Sequence, residues 1–144
     1  MHFEFPIEAG DFSNAGSASS QIKKRLKQLN IPGDVVKKAV VAMFEAEVNV
    51  VGHSFGGTLT VDIDSEKIRV VVADTGPGIP DIDLAMSEGY STATEQIREM
   101  GFGAGMGLPN IKKSTDKLEI QSGKEGTRVE MLIYLDKHPQ ENGD

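Results

Sequence analysis

Cysteine is absent from the 144 residues. That excludes disulfide frameworks, thiolate zinc sites, iron–sulfur clusters and thiol nucleophiles. Basic residues are in deficit: 15 Lys and Arg stand against 22 Asp and Glu, a formal charge of -7. Such a balance argues against direct nucleic-acid binding, which draws on a basic excess. No apolar run approaches membrane-spanning length. The opening Met1-His2-Phe3-Glu4-Phe5 lacks the basic start and apolar core of a signal peptide. The expectation is a cytoplasmic domain with no nucleic-acid or membrane partner. What is present suffices for a core. The hydrophobic set is 38% of residues, with 16 glycines besides, an ordinary globular make-up. A chain of this length typically buries ~70% of its unfolded surface.

Apolar periodicity predicts the elements. Phe3, Phe5 and Ile7 alternate with polar residues as a half-buried strand, and Pro6 favours a sheet edge because it cannot donate to a ladder. Ala15, Ala18, Ile22, Leu26 and Leu29 recur at helical spacing behind Asn14 as a cap. Pro32-Gly33-Asp34 reads as a turn and cap for a second helix, with Val36, Val40, Phe44, Val48 and Val51 on its stripe, ending near Gly52. Leu59–Ile63 and Ile68–Ala73 form a hairpin about Asp64–Lys67, and the β-branched Val70-Val71-Val72 suits a central strand. A short helix from about Leu108 to Ser114 accepts Pro109 in its first turn. A final hairpin follows, with strands around Leu118–Ile120 and Val129–Leu135. Residues 137–144 read as a disordered polar tail. The order β-α-α-β-β-loop-α-β-β implies an α+β fold: a two-layer sandwich with a mostly antiparallel sheet and helices on one face.

Gly52-His53-Ser54-Phe55-Gly56 fits the G-x-S-x-G pattern of serine hydrolases. That motif needs a strand before the serine and a helix after it. Here the order is inverted, so Gly56-Gly57 read instead as the turn into a strand.

Three other segments carry chemistry. Glu45 and Asn49 are four apart on the second helix and share a face, whereas Glu47 lies ~200° from Glu45. An amide oxygen suits a hard cation such as magnesium, and a carboxylate beside it can accept a proton from an attacking hydroxyl. Glu47, facing away, is expected to be silent on substitution. Asp74-Thr75-Gly76-Pro77-Gly78 follows the most apolar strand. Asp74 there can accept a hydrogen bond from an exocyclic amine of the kind adenine offers, and Gly76 and Gly78 let backbone approach a flat ring; alone, the segment equally fits a tight turn. Gly101-Phe102-Gly103-Ala104-Gly105-Met106-Gly107-Leu108 runs into a helix start. Successive amides in such a place can cradle phosphates, although the spacing is neither a dinucleotide fingerprint nor a P-loop. Seven of the 16 glycines (Gly76, Gly78, Gly89, Gly101, Gly103, Gly105 and Gly107) fall between residues 74 and 107, a stretch of little regular pattern.

In this order, E-x-x-x-N on a helix, D-x-G-x-G after a strand and G-x-G-x-G at a helix start resemble the Bergerat-fold (GHKL) ATPases. Within them the chain is similar to the anti-sigma-factor serine kinases and the related switch kinases of bacterial partner-switching systems, over about residues 3–136. Ser91-Thr92 and Gly103-Ala104-Gly105 resemble the switch kinases, and Met106-Gly107 the anti-sigma branch. The resemblance implies one ATPase domain over residues 1–136, with an ATP lid at about 87–104. It implies ATP and Mg as cofactors, Asn49 as metal ligand, Glu45 as general base, and His53 as either structural or near the phosphates. Asp74 would bind the adenine amine, with Gly76, Gly78, Ile79 and Thr127 completing the base pocket. Gly103, Ala104, Gly105, Met106, Gly107 and Leu108 would wrap the phosphates, and Arg98 would reach the terminal ones. The implied activity is phosphorylation of a serine on a small STAS-type antagonist, with a sigma factor or another regulator as a second partner and homodimerisation left open. The alternative is a nucleotide-gated binding module without transfer.

Overall fold

The computed structural model describes residues 1–76 and 107–135. Five strands form one antiparallel sheet: β1 (His2–Ile7), β2 (Gly57–Ile63), β3 (Lys67–Asp74), β4 (Lys117–Gly123) and β5 (Gly126–Tyr134), in the order β1-β2-β3-β5-β4. Both expected hairpins are present, the Val70-Val71-Val72 strand is central, and Pro6 lies in an edge strand. Because side chains alternate across a strand, Leu59, Val61 and Ile63 of β2 and Ile68, Val70 and Val72 of β3 all point to one face and are buried. The other face carries charge. Asp62 accepts from or pairs with the His2 ring at 2.6 Å, and Glu130 accepts from Arg69 Nε at 2.6 Å and Arg128 Nη1 at 3.1 Å.

Helices α1 (Ser17–Gln28), α2 (Gly33–His53) and α3 (Gly107–Ser114) belong to the described residues. Ile22 and Leu26 of α1, Met43 and Val50 of α2 and Ile111 of α3 join the inner sheet residues in one core. Each such side chain contributes about 1.5–3 kcal/mol by leaving water. The expected two-layer α+β sandwich is therefore observed. α2 is its axis, packing on α1, on α3 and on the sheet.

Local corrections have simple causes. Asn14 does not cap α1. It lies in a 3-10 turn (Phe12–Asn14) and donates to Asp11, while α1 starts at Ser17 behind Gly16, which is left-handed at φ 94°. Asp34 sits within the first turn of α2 rather than before it. Steps of four residues drift by ~40° on a helix, so the stripe drawn through Phe44 leaves the core and that ring is 38% exposed. The buried face runs instead through Val36, Ala39, Met43, Ala46 and Val50 at alternating steps of three and four. Leu29, at the C-cap of α1, is likewise exposed.

Candidate functional site

The site is assembled along the second half of α2. Beyond its end, Ser54 Oγ donates to the Val50 carbonyl at 2.8 Å and accepts from the Gly56 amide at 3.0 Å. Ser54 therefore closes a helix terminus and opens a turn; it is not a nucleophile. That turn is sewn to the segment after β3. Phe55 N donates to the Thr75 carbonyl at 2.8 Å, and Thr75 N donates to the Gly56 carbonyl at 3.0 Å. Gly76 packs so closely on Ser54 that a β-carbon there would come within 3.3 Å of its Cα. The end of α2 and the Asp74-Thr75-Gly76 segment are thus joined by backbone bonds and close packing. Asn49 lies four residues before His53, ~6 Å along the axis at 1.5 Å per residue.

Asp74 ends the central strand. Its Oδ1 accepts from the Thr127 amide at 2.9 Å, and the Thr127 hydroxyl pairs with Ser122 Oγ at 2.8 Å. Its backbone is hemmed in on both sides. A β-carbon on Gly57 would collide with the Ala73 carbonyl, and one on Gly126 (φ 144°) with the Asp74 carbonyl. Burial pushes the Asp74 carboxyl above its ordinary value, and the Thr127 amide only partly offsets this. Desolvation disfavours the charged form. A carboxylate kept short of water is a strong acceptor for an N–H donor on a ligand.

Glu45 and Asn49 are half-buried on one face of α2. Glu45 Oε2 accepts from Asn110 Nδ2 of α3 at 2.9 Å. Glu47 does face the other way, and it is held there. It is 3% exposed, and its carboxylate accepts from the backbone amides of Gly16 (3.0 Å), Ala18 (3.2 Å) and Ser19 (3.2 Å). The first amides of a helix have no intrahelical partner, and α1 begins behind a glycine with no side chain to cap them. Glu47 caps α1 from another helix. These contacts give Glu47 a structural role in holding α1 that its place on the far face of α2 did not announce.

The structure thus brings Asp74 to Thr127 and Gly76 to Ser54 beyond the end of α2, and ties Glu45, with Asn49 on its face, to the helix that starts at Gly107 and Leu108. Leu108 is buried, so only its backbone could face a ligand. His53 is the last residue of α2. Gly78, Ile79, Arg98, Gly103, Ala104, Gly105 and Met106, the lid at 87–104 and the tail at 137–144 lie outside the described residues. Among the described residues no cluster of three or more His, Asp or Glu could hold a metal. None of their helices is long and apolar enough to span a membrane. Asn110 and Glu47 are the residues that sequence reasoning missed. Both act across helix–helix contacts that no spacing in the chain announces.

Comparisons with known proteins bear on the family and the fold. The model of the histidine kinase-like ATPase domain matches residues 11–133. The chain is 33% identical over 75 residues to the serine/threonine-protein kinase RsbT of Bacillus subtilis, a match covering 51% of this chain and 50% of that kinase. It therefore spans about half of that relative's length. It is 32% identical over 129 residues to an anti-sigma F factor of a Thermoanaerobacter species, covering 85% of this chain and 86% of that protein. Among solved structures, the RsbU and RsbW domains of a Mycobacterium tuberculosis protein superpose with a TM-score of 0.60 at 16% identity, over 91% of this chain and 32% of that one. A histidine kinase domain from Erythrobacter litoralis superposes at 0.55 and 18% identity, over 84% and 61%. These last two bear on the fold alone. With the family model matched over most of its length, the chain belongs to the histidine kinase-like ATPase domain family.

Proposed function

We propose that this protein is an ATP- and magnesium-dependent protein-serine kinase of a bacterial partner-switching system, which phosphorylates a serine on a small STAS-type antagonist and also binds a sigma factor. The observation that carries the proposal is the pair of backbone bonds between Phe55–Gly56 and Thr75. They hold Asp74 in fixed relation to the helix that bears Asn49 and Glu45. Names of relatives support it: one is a serine/threonine-protein kinase and another an anti-sigma F factor.

In this reading Asp74 receives the adenine amine and Thr127 fixes the carboxylate that does so. Gly76 lets backbone lie close to the ring, with Gly78 and Ile79 beyond it. Asn49 would offer its amide oxygen to magnesium, which when bound would neutralise charge developing on the phosphates. The amides from Gly103 to Leu108 hold the phosphates at the start of α3, with His53 and Arg98 near them and residues 87–104 as the lid. Glu45 accepts the proton of the serine hydroxyl while that oxygen bonds to the γ-phosphorus and ADP departs with the bridging oxygen. A general base of this kind is worth ~10²–10⁴ in rate.

The test is to incubate the protein with γ-labelled ATP, magnesium and a lysate of the source organism. A single small protein labelled on serine is expected, and Glu45→Gln should abolish the label while keeping ATP affinity. Asn49→Ala should lose magnesium-dependent binding and transfer together. Release of labelled phosphate with no labelled protein would replace the proposal with an ATPase. Tight ATP binding with neither product would favour the nucleotide-gated binding module.

A further inference from the structure

The bond from Asn110 to Glu45 joins the two helices that carry the outer motifs of the site. Glu45 stands two turns before the end of α2. Asn110 stands in the first turn of α3, three residues after Gly107, where the glycine-rich run ends. A glutamate carboxyl rotates about its last torsion with little preference, so a base on a helix is aimed only if something holds one of its oxygens. Asn110 Nδ2 holds Oε2 at 2.9 Å; in the proposed reaction Oε1 would take the proton.

We infer that Asn110 is a positioning residue for Glu45, aiming the carboxylate from the same helix whose start follows the glycine-rich run. The inference rests on the reading of Glu45 as base and names a part of that reaction which the three motifs do not contain. A plain packing role fits the contact less well. Leu108 and Ile111, on either side, are buried and join the core, whereas Asn110 is half-exposed. Packing of α3 on α2 therefore does not need the amide. An uncharged donor also suits the place. It can hold an ionised carboxylate without neutralising it, as a lysine or arginine there would.

Asn110→Ala, Glu45→Gln, the double variant and the isosteric Asn110→Asp separate these roles. The readouts are transfer of γ-labelled phosphate to the serine protein, its slow release to water (which needs no acceptor), and ATP affinity. Asn110→Ala should slow both reactions on the order of 10–100-fold, the scale of a misaimed catalytic group, with ATP affinity within about twofold. In the Glu45→Gln background it should cost nothing further, because residues acting as one unit are not additive. Asn110→Asp keeps the shape but sets a like charge beside Glu45. The acid limb of its rate profile should move to higher pH, since neighbouring carboxylates hold a proton more tightly.

Asn110→Ala at the normal rate, or slowing the Glu45→Gln variant as much as it slows the wild type, would overturn the inference. So would a rate loss matched by an equal loss of ATP affinity. Normal rates in Glu45→Gln would remove the base itself and this inference with it. A slow Glu45→Gln beside a normal Asn110→Ala would remove the inference alone.

Discussion

Two aspartates stand at opposite ends of the central strand, and their surroundings give the same side chain opposite chemistry. Asp64, in the turn before β3, is exposed. Its Oδ1 accepts from the backbone amides of Glu66 at 2.7 Å and Lys67 at 2.9 Å, which hold its carboxyl below the usual range. Asp74, at the other end, is half-buried, and burial raises its carboxyl while one amide partly offsets the effect. Asp64 has spent its acceptor capacity on closing a hairpin. Asp74 sits between two glycines, with charge that the protein alone leaves incompletely compensated. The first pattern stabilises a fold; the second is what a ligand-binding group looks like before its ligand arrives.

The largest effect should come from the glycines that frame Asp74. Gly126→Ala forces a β-carbon against the Asp74 carbonyl at a positive φ. Overpacking and backbone strain together should cost about 2–4 kcal/mol of stability, read by denaturant unfolding. Gly123, in the same hairpin, has nothing within 4 Å of a β-carbon, so Gly123→Ala is the matched control. Equal losses in both would mean that the hairpin tolerates no alanine, and that Asp74 is not specially hemmed in.

Next is Asp74→Asn. An amide donor opposed to the adenine amine leaves a buried polar group unpaired, at about 1–3 kcal/mol of ATP binding, measurable by calorimetry. The unliganded fold should not suffer. A carboxyl whose folded value is raised contributes stability that is present below its ordinary value and lost as pH rises through the folded one. At neutral pH the ionised group is therefore a liability, and Asp74→Asn should melt no lower than wild type and up to roughly 3 °C higher. Lower melting with unchanged ATP affinity would make Asp74 a second Asp64.

Glu47→Gln should lose about 1–3 kcal/mol of stability, because one of three amides at the start of α1 would face an amide donor. Thermal unfolding reads this. Unchanged melting would mean that water caps α1 equally well.

The smallest effect belongs to Asp64→Asn, on an exposed turn. Its carboxyl is lowered, so its contribution is present above the ordinary aspartate value and lost as pH falls through the lowered one. Melting curves of wild type and variant should therefore differ by on the order of 1–2 °C at neutral pH and converge in acid. Curves that stay apart at low pH would show that the charge on Asp64 is irrelevant to the turn.

Legibility in the sequence followed the range of the interaction. Strands read well because period-2 alternation is a local record of which face is buried. All five appear, and the central place of Val70-Val71-Val72 follows from its being apolar on both faces. α2 read less well. A helix against three neighbours is apolar over most of its circumference, so Phe44 and Val36 looked equivalent although only Val36 is buried. Asp74 could be singled out because it ends an apolar strand and precedes glycines. Thr127 entered only through family resemblance, since 53 residues separate it from its hydrogen-bond partner.

The two glutamates of α2 mark where that legibility stops. From the sequence alone follow the α+β order, the antiparallel hairpins, the shared face of Glu45 and Asn49, and the opposite face of Glu47. Helical geometry dictates each of these within a few residues. What the opposite face meets is a different matter. Glu47 finds three unpartnered amides because α1 begins at a left-handed glycine 31 residues earlier, and Glu45 finds an amide side chain 65 residues later. A buried carboxylate must be hydrogen-bonded wherever it lies, but only the packing of α1 and α3 on α2 decides by what. That choice makes one glutamate a cap and leaves the other aimed into the site.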